Sequence, residues 1–190
     1  MSRISNREAA ILGMLCESPR YGYELEKIIE DRGMRNWTEI GFSSIYYVLK
    51  RLEKRALIES KIVGLAGKPS RRVYTVTKEG MKAIKEKIKA LLSKNQKLIS
   101  PFDLGIAYLD LLKSEEILEC LNLYLKSTDE RLSFLQDSIR RMKESGAPNR
   151  VIALFDRPLA HMKTEKLWVE GFMKKIQEKE ISPEKGWKYG

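Results

Sequence analysis

Ser43, Tyr46, Tyr47, Lys50 and Lys54 recur at the positions of a helix that turn away from Ile45, Val48, Leu49 and Leu52. At about 100° per residue the four aliphatic side chains share one side, suited to burial. The opposite side carries a hydroxyl at its start, then two tyrosines, then lysines, with Arg51 at its edge. No member of that set is placed to make or break a covalent bond, so its chemistry is recognition. Hydroxyls and a helix N-terminus hold phosphate, Lys and Arg reach phosphates or guanine edges, and Tyr touches backbone or a thymine methyl. The set therefore points to duplex nucleic acid, with packing against a neighbouring hairpin as the other use for the tyrosines.

A second group of cations supports the first. Lys68, Arg71 and Arg72 flank a turn just beyond this helix, where a loop can bracket adjacent phosphates. The charge of the whole chain is divided in the same sense. Residues 1–100 hold 21 Lys and Arg against 11 Asp and Glu, a net of +10, and residues 101–190 hold 15 against 15. The bias tightens over residues 41–80, with nine basic and three acidic residues. A basic half joined to a neutral one predicts one part that meets a polyanion and another with a different task.

The elements that must position these residues are legible from capping and period. Ser5 and Glu8 form a capping-box pattern, with Ile4 before it, for a helix carrying Ile11, Leu12 and Leu15 and ending near Pro19. Tyr21-Gly22-Tyr23 opens a second helix with Leu25, Ile28 and Ile29 inward and Gly33 as its stop. After Gly41, Ser43 is the expected N-cap of a third helix reaching about Arg55. The period then changes. Residues 57–63 and 72–76 are β-prone runs joined by the flexible stretch 64–70, which reads as a hairpin, and Thr77 is placed to cap a fourth helix to about Lys94. Three helices, a two-stranded hairpin and a further helix make a winged helix-turn-helix.

Several runs resemble those of the PadR family of bacterial and archaeal transcriptional regulators. They are Ile11-Leu12-Gly13-Met14-Leu15, Tyr21-Gly22-Tyr23-Glu24-Leu25, residues 43–53 and residues 71–80, together covering roughly residues 7–85. Where the family often has proline after the first tyrosine of the third helix, this chain has Tyr47. The resemblance implies a homodimeric repressor on a palindromic operator, often released by a small effector. It adds Tyr21 and Ser44 to the residues expected on DNA. Pro101-Phe102-Asp103-Leu104 and the helix bearing Leu167-Trp168 look like members with a larger C-terminal domain. The fold expected is mainly α (an α+β winged helix), divided into a DNA-binding domain over 1–98 and an all-helical dimerisation domain over 99–190.

Within that second part, helices are expected over 103–112, from a Ser114 cap to about Glu144, and from beyond Pro148 to about Glu180. Pro158 either kinks the last of these or marks its start. The middle helix carries a heptad seam: Leu118, Leu125, Leu132 and Ile139 in one register, Leu121, Leu135 and Met142 in the other, interrupted by Thr128. Val169, Phe172 and Ile176 on the last helix are its expected partners, within the chain, across a dimer, or both. Trp168 and Phe172, one turn apart, are the candidate stack for a small aromatic effector.

Other chemistries lack their residues. His161 is the single histidine, and no nucleophile motif, phosphate-binding glycine loop or zinc spacing occurs, so neither an enzyme nor a cofactor or metal is expected. Cys16 and Cys120 read as small buried hydrophobes. No run of about eighteen uncharged apolar residues exists and the N-terminus lacks a signal-peptide pattern, so the expected address is the cytoplasm. The rival reading is a winged-helix module for protein contacts, its basic face incidental.

Overall fold

The computed structural model describes residues 4–181, except 39, 42–44, 65–69, 96 and 98 and the side chain of Asn36. The chain divides into two compact units, Met1–Lys97 and Leu98–Gly190.

The first unit runs α1 (Asn6–Glu17), β1 (Arg20–Tyr21), α2 (Gly22–Asp31), a 3-10 turn at Met34–Asn36, α3 (Ile45–Lys54), β2 (Ile58–Val63), β3 (Arg71–Val76) and α4 (Lys78–Ser93). Ser5 caps α1 as its sequence requires: its hydroxyl accepts from the Glu8 backbone N–H at 3.2 Å, and the Glu8 carboxylate accepts from the Ser5 N–H at 2.7 Å. The hairpin is present, with β2 and β3 antiparallel and Ser60 opposite Tyr74. The sheet it belongs to has a third strand, however. Arg20 and Tyr21 pair with Tyr74 and Val73 and complete a sheet of order β1-β3-β2. Two residues are too few to show an alternating pattern, which is why this strand is invisible in the sequence. The core joins Ile11, Leu12 and Leu15 of α1, Leu25 and Ile29 of α2, the aliphatic side of α3, and Ile58, Tyr74 and Ile84.

Where α3, the sheet and α4 meet, the backbone is crowded. Ala56 takes a left-handed conformation, φ 53°, to turn the chain from α3 into β2. Thr77 donates its hydroxyl to the Ala56 carbonyl at 2.8 Å and accepts from the Gly80 N–H at 3.0 Å, so one side chain closes the turn and caps α4. Gly80 lies so close to the Leu57 carbonyl that a Cβ there would stand 2.0 Å from its oxygen.

The second unit comprises α5 (Pro101–Ala107), a 3-10 turn at Leu109–Leu111, α6 (Ser114–Glu144) and α7 (Asn149–Gln177). The helix expected over 103–112 begins two residues earlier, because Pro101 occupies the first helical position and the Ser100 hydroxyl accepts from the Phe102 N–H at 3.2 Å. It also ends sooner, at Ala107. Ser114 is the first residue of α6 and not its cap; the Lys113 N–H is satisfied by the Glu116 carboxylate at 2.9 Å. Pro158 lies inside α7, which is one helix on both sides of it.

α6 and α7 pair antiparallel through two apolar clusters. One joins Ile117 and Leu121 to Val169, Phe172 and Ile176, the other joins Leu135 to Phe155 and Leu159. Thr128, the break in the seam, is buried with its hydroxyl donated to the Tyr124 carbonyl. Leu121, Leu135, Val169, Phe172 and Ile176 are thus consumed within the chain. Leu118, Leu125, Leu132, Ile139 and Met142 are only half-buried. Cys120 is exposed, contrary to its apolar surroundings in sequence, because it stands to one side of the buried line Ile117, Leu121 and Thr128; Cys16 is half-buried beside Met81.

Gly80→Ala forces a methyl group into a carbonyl that cannot retreat without moving the sheet. A loss of about 2–4 kcal/mol is expected in urea melts, at or beyond the usual range for overpacking. A Gly80→Ala chain as stable as its parent would contradict this packing.

Candidate nucleic-acid interface

α3 owes its orientation to burial. Ile45, Val48, Leu49 and Leu52 are buried, each worth about 1.5–3 kcal/mol against exposure, so the helix cannot roll. The opposite side is thereby held outward. Tyr46 and Tyr47 are 58% and 62% exposed, and Lys50, Arg51 and Lys54 are exposed beside them. Neither tyrosine is used up in packing against the hairpin. Lys50 and Lys54 make no ion pair among the described residues. Ser43, Ser44 and Lys68, expected on the same surface, lie outside the described residues.

The wing arginines are exposed but held. Arg72 reaches Glu53 at 3.3 Å, and the Ser60 hydroxyl donates to the other oxygen of the same carboxylate. Glu53 on α3 therefore binds both strands of the wing. Arg71 donates to the Tyr23 hydroxyl at 3.2 Å with its guanidinium 5.2 Å from the ring centroid. Tyr23 in turn stacks on Tyr21 at 5.6 Å. These groups surround a cleft of about 320 Å³ between the start of α2, α3 and β3, lined by Tyr21, Gly22, Tyr23, Tyr46, Tyr74, Arg71 and Arg72. Burial pushes the Tyr74 phenol above its ordinary range, so it stays protonated there.

Arg51 is drawn toward the rim of the face by the buried carboxylate of Glu8, 3.4 Å away, and lies 5.8 Å from the Tyr47 ring centroid. The same Glu8 oxygen accepts from Arg55 at 2.9 Å. Burial alone would raise the Glu8 pKa. The hydrogen bonds from the Ser5 backbone and Ser5 side chain, and then the bond and charge of Arg55, outweigh it and hold the carboxyl below its ordinary value. Sequence reasoning missed Tyr23, Glu53 and Arg55. Tyr23 sits in the same Tyr-Gly-Tyr run as Tyr21 and was recoverable; the other two act through partners distant in sequence.

In the second unit Trp168 and Phe172 stack at 4.9 Å and 15°, with Phe102 edge-on to Trp168 at 6.3 Å. Phe172 is buried, so Trp168, 48% exposed, is the ring that presents a face. Beside it runs an open cleft of about 430 Å³ along α7, lined by Arg157, His161, Thr164 and Glu165. Among the described residues no His, Cys, Asp and Glu cluster fits a metal ion, and no helix is long and apolar enough to cross a membrane.

Residues 11–86 match the transcriptional regulator PadR-like family. An uncharacterised protein of Lysinibacillus sphaericus is 32% identical over 82 residues, 43% of this chain and 74% of that protein. The crystal structure of Bacillus subtilis PadR in complex with operator DNA is similar with a TM-score of 0.71 at 21% identity, covering 89% of this chain and 98% of that one. The same Bacillus subtilis protein in complex with p-coumaric acid gives 0.71 at 21% identity, covering 91% and 99%. A PadR-like regulator from Bacillus cereus gives 0.64 at 17% identity, covering 90% and 98%. At these identities the structural likeness is one of fold.

Glu8→Gln should cost about 1.5–3 kcal/mol at neutral pH, the range for hydrogen bonds to a charged group. Because the folded pKa is lowered, the carboxylate's contribution is present above its unfolded value, about 4.3, and is lost as pH falls through the folded one. The stability gap between parent and variant, from urea melts, should be full at pH 7 and shrink progressively as pH falls below the unfolded value. A gap that stays constant from pH 7 to pH 3 would refute the assignment.

Proposed function

Since the chain belongs to the PadR-like family of transcriptional regulators, whose members are not enzymes, we propose that it is a cytoplasmic repressor whose first unit binds duplex DNA through α3 and the wing. The observation that carries this is the coincidence of three features on one face. α3 turns Tyr46, Tyr47, Lys50 and Lys54 outward. Arg71 and Arg72, at the end of β3 next to the hairpin turn, line a cleft with Tyr46. The half of the sequence that builds this face carries the entire net charge of +10. Lys50 and Lys54, without ion pairs among the described residues, are the cations ready for phosphates or guanine edges, while Tyr21 and Tyr46 border the cleft where a backbone can approach. Ser43, Ser44 and Lys68 belong to the same proposal on sequence grounds.

The second unit supplies the dimer in this reading. One short helix reads only a few base pairs, and a two-fold pair of chains on a palindromic site doubles the contacts. The half-buried row Leu118, Leu125, Leu132, Ile139 and Met142 supports it, being apolar surface that α7 leaves partly uncovered. A small aromatic effector completes the proposal. The exposed face of Trp168 offers a flat apolar contact, and Arg157 and His161 stand in the adjoining cleft.

Filter binding against a cognate duplex and a random one, at several salt concentrations, tests the DNA face. Lys50→Ala should lower the salt slope by about one unit for each phosphate it no longer neutralises, hence about two per dimer, or cost roughly 1–3 kcal/mol on the cognate site alone if it reads a base. Arg72→Ala should weaken all duplexes alike. A chain ending at Lys97 should sediment as a monomer and lose affinity steeply, its half-sites no longer linked. Folded Lys50→Ala and Arg72→Ala proteins that bind every duplex as the parent does would sink the reading.

For the effector, phenolic acids should change the fluorescence of Trp168 saturably in a chain whose Trp37 and Trp187 are replaced by Phe. No saturable change across such a panel would remove Trp168 from the proposal.

A further inference from the structure

Gly22 opens α2 and is buried under the ring of Tyr46. A Cβ at this position would stand 2.7 Å from Tyr46 Cε1, 3.2 Å from Cζ and 3.3 Å from the hydroxyl oxygen. No backbone atom is among these nearest contacts. The ring occupies the volume that any other residue at 22 would fill. From this we propose that Gly22 is a positioning residue for DNA reading: its missing side chain seats Tyr46 and fixes where the phenol of α3 meets the groove. This rests on the DNA-binding function proposed above.

Gly80 provides the contrast that makes the role specific. There the obstructing atom is the carbonyl oxygen of Leu57, just before β2 and held by the Thr77 N–H, and a methyl group attacks the fold. At Gly22 the obstruction is the far end of a side chain that is 58% exposed and free to swing toward solvent. A methyl group at 22 therefore displaces the ring by roughly an ångström to regain ordinary contact distance, with little strain left behind. An alanine in a helix is also intrinsically favoured over glycine. Recognition side chains, by contrast, must be held within about 0.5 Å of their productive geometry. Gly22→Ala thus separates the two properties, leaving folding intact while spoiling the reading of sequence.

The test uses the full-length chain and a duplex recovered by selection from a random-sequence pool with the parent protein, beside an unselected random duplex. Gly22→Ala should melt at or above the parent's temperature and bind the selected duplex roughly ten-fold more weakly, the scale of a single base-edge interaction, with random-duplex binding unchanged. In a Tyr46→Ala background, adding Gly22→Ala should change neither affinity, since the ring it displaces is gone. Selected-duplex binding equal to the parent's overturns the proposal, as does the same loss persisting in the Tyr46→Ala background. So does a Gly22→Ala chain without a thermal transition, because the ring would then not be free to move. A parent that enriches no duplex defeats the DNA reading itself, and this proposal with it; a parent that binds while Gly22→Ala binds equally defeats this proposal alone.

Discussion

The carboxylate of Glu8 joins the first helix of the chain to the third. It is buried with its capping partner Ser5 on one side and two arginines, Arg51 of α3 and Arg55 just beyond its end, on the other. A buried carboxylate without partners would be costly, and this one is tolerable only while Arg55 and Arg51 face it. The requirement runs both ways: α1 must begin where it does, and the C-terminal end of α3 must lie against that beginning. The aliphatic side of α3 fixes its roll, and Glu8 fixes its position along its own axis. Every residue on the outward side inherits its place from those two constraints.

The outward side is consequently less uniform than its net charge implies. Arg72 is tied to Glu53, Arg71 to Tyr23, and Arg51 to Glu8, whereas Lys50 and Lys54 extend without ion pairs among the described residues. Exposed pairs of this kind contribute little to stability, so their value lies in geometry. A guanidinium held in one direction has already surrendered the rotamer freedom that a free side chain would lose on meeting a phosphate. Glu53 is informative here. An acidic residue among cations opposes a polyanion, yet it aligns both strands of the wing with α3 through Arg72 and Ser60.

The sequence disclosed those parts of the molecule whose cause is local. The Ser5 cap, the Thr77 cap, the split of α3 into an aliphatic and a polar side, and the change of period at the hairpin each depend on residues within a few positions of one another. What it hid depends on distance along the chain. Glu8 is legible as a cap, but nothing near it announces Arg55. Strand β1 consists of two residues and exists because β3 has an open edge beside Arg20 and Tyr21. Ser114 looks like a cap by residue type, yet the helix takes in Ser114 itself, and Lys113 stands at the cap position with its N–H held by Glu116 three residues on. Cys120 sits among leucines, yet its direction on α6 is decided by where α7 lies. The heptad seam predicted an apolar partner correctly, but only the structure assigns Leu121 and Leu135 to α7 and leaves Leu118 and Leu125 half covered.

Thr77 pins two elements together. Its hydroxyl is bonded at once to the turn that follows α3 and to the first turn of α4, while its N–H reaches the Leu57 carbonyl against which Gly80 rests. α4 is therefore keyed to the sheet at its first turn, like a shaft with a pin through its end. It cannot spin about its own axis without shearing those bonds, and any torque applied farther along it is delivered to Ala56 and Leu57, the residues that follow the last turn of α3.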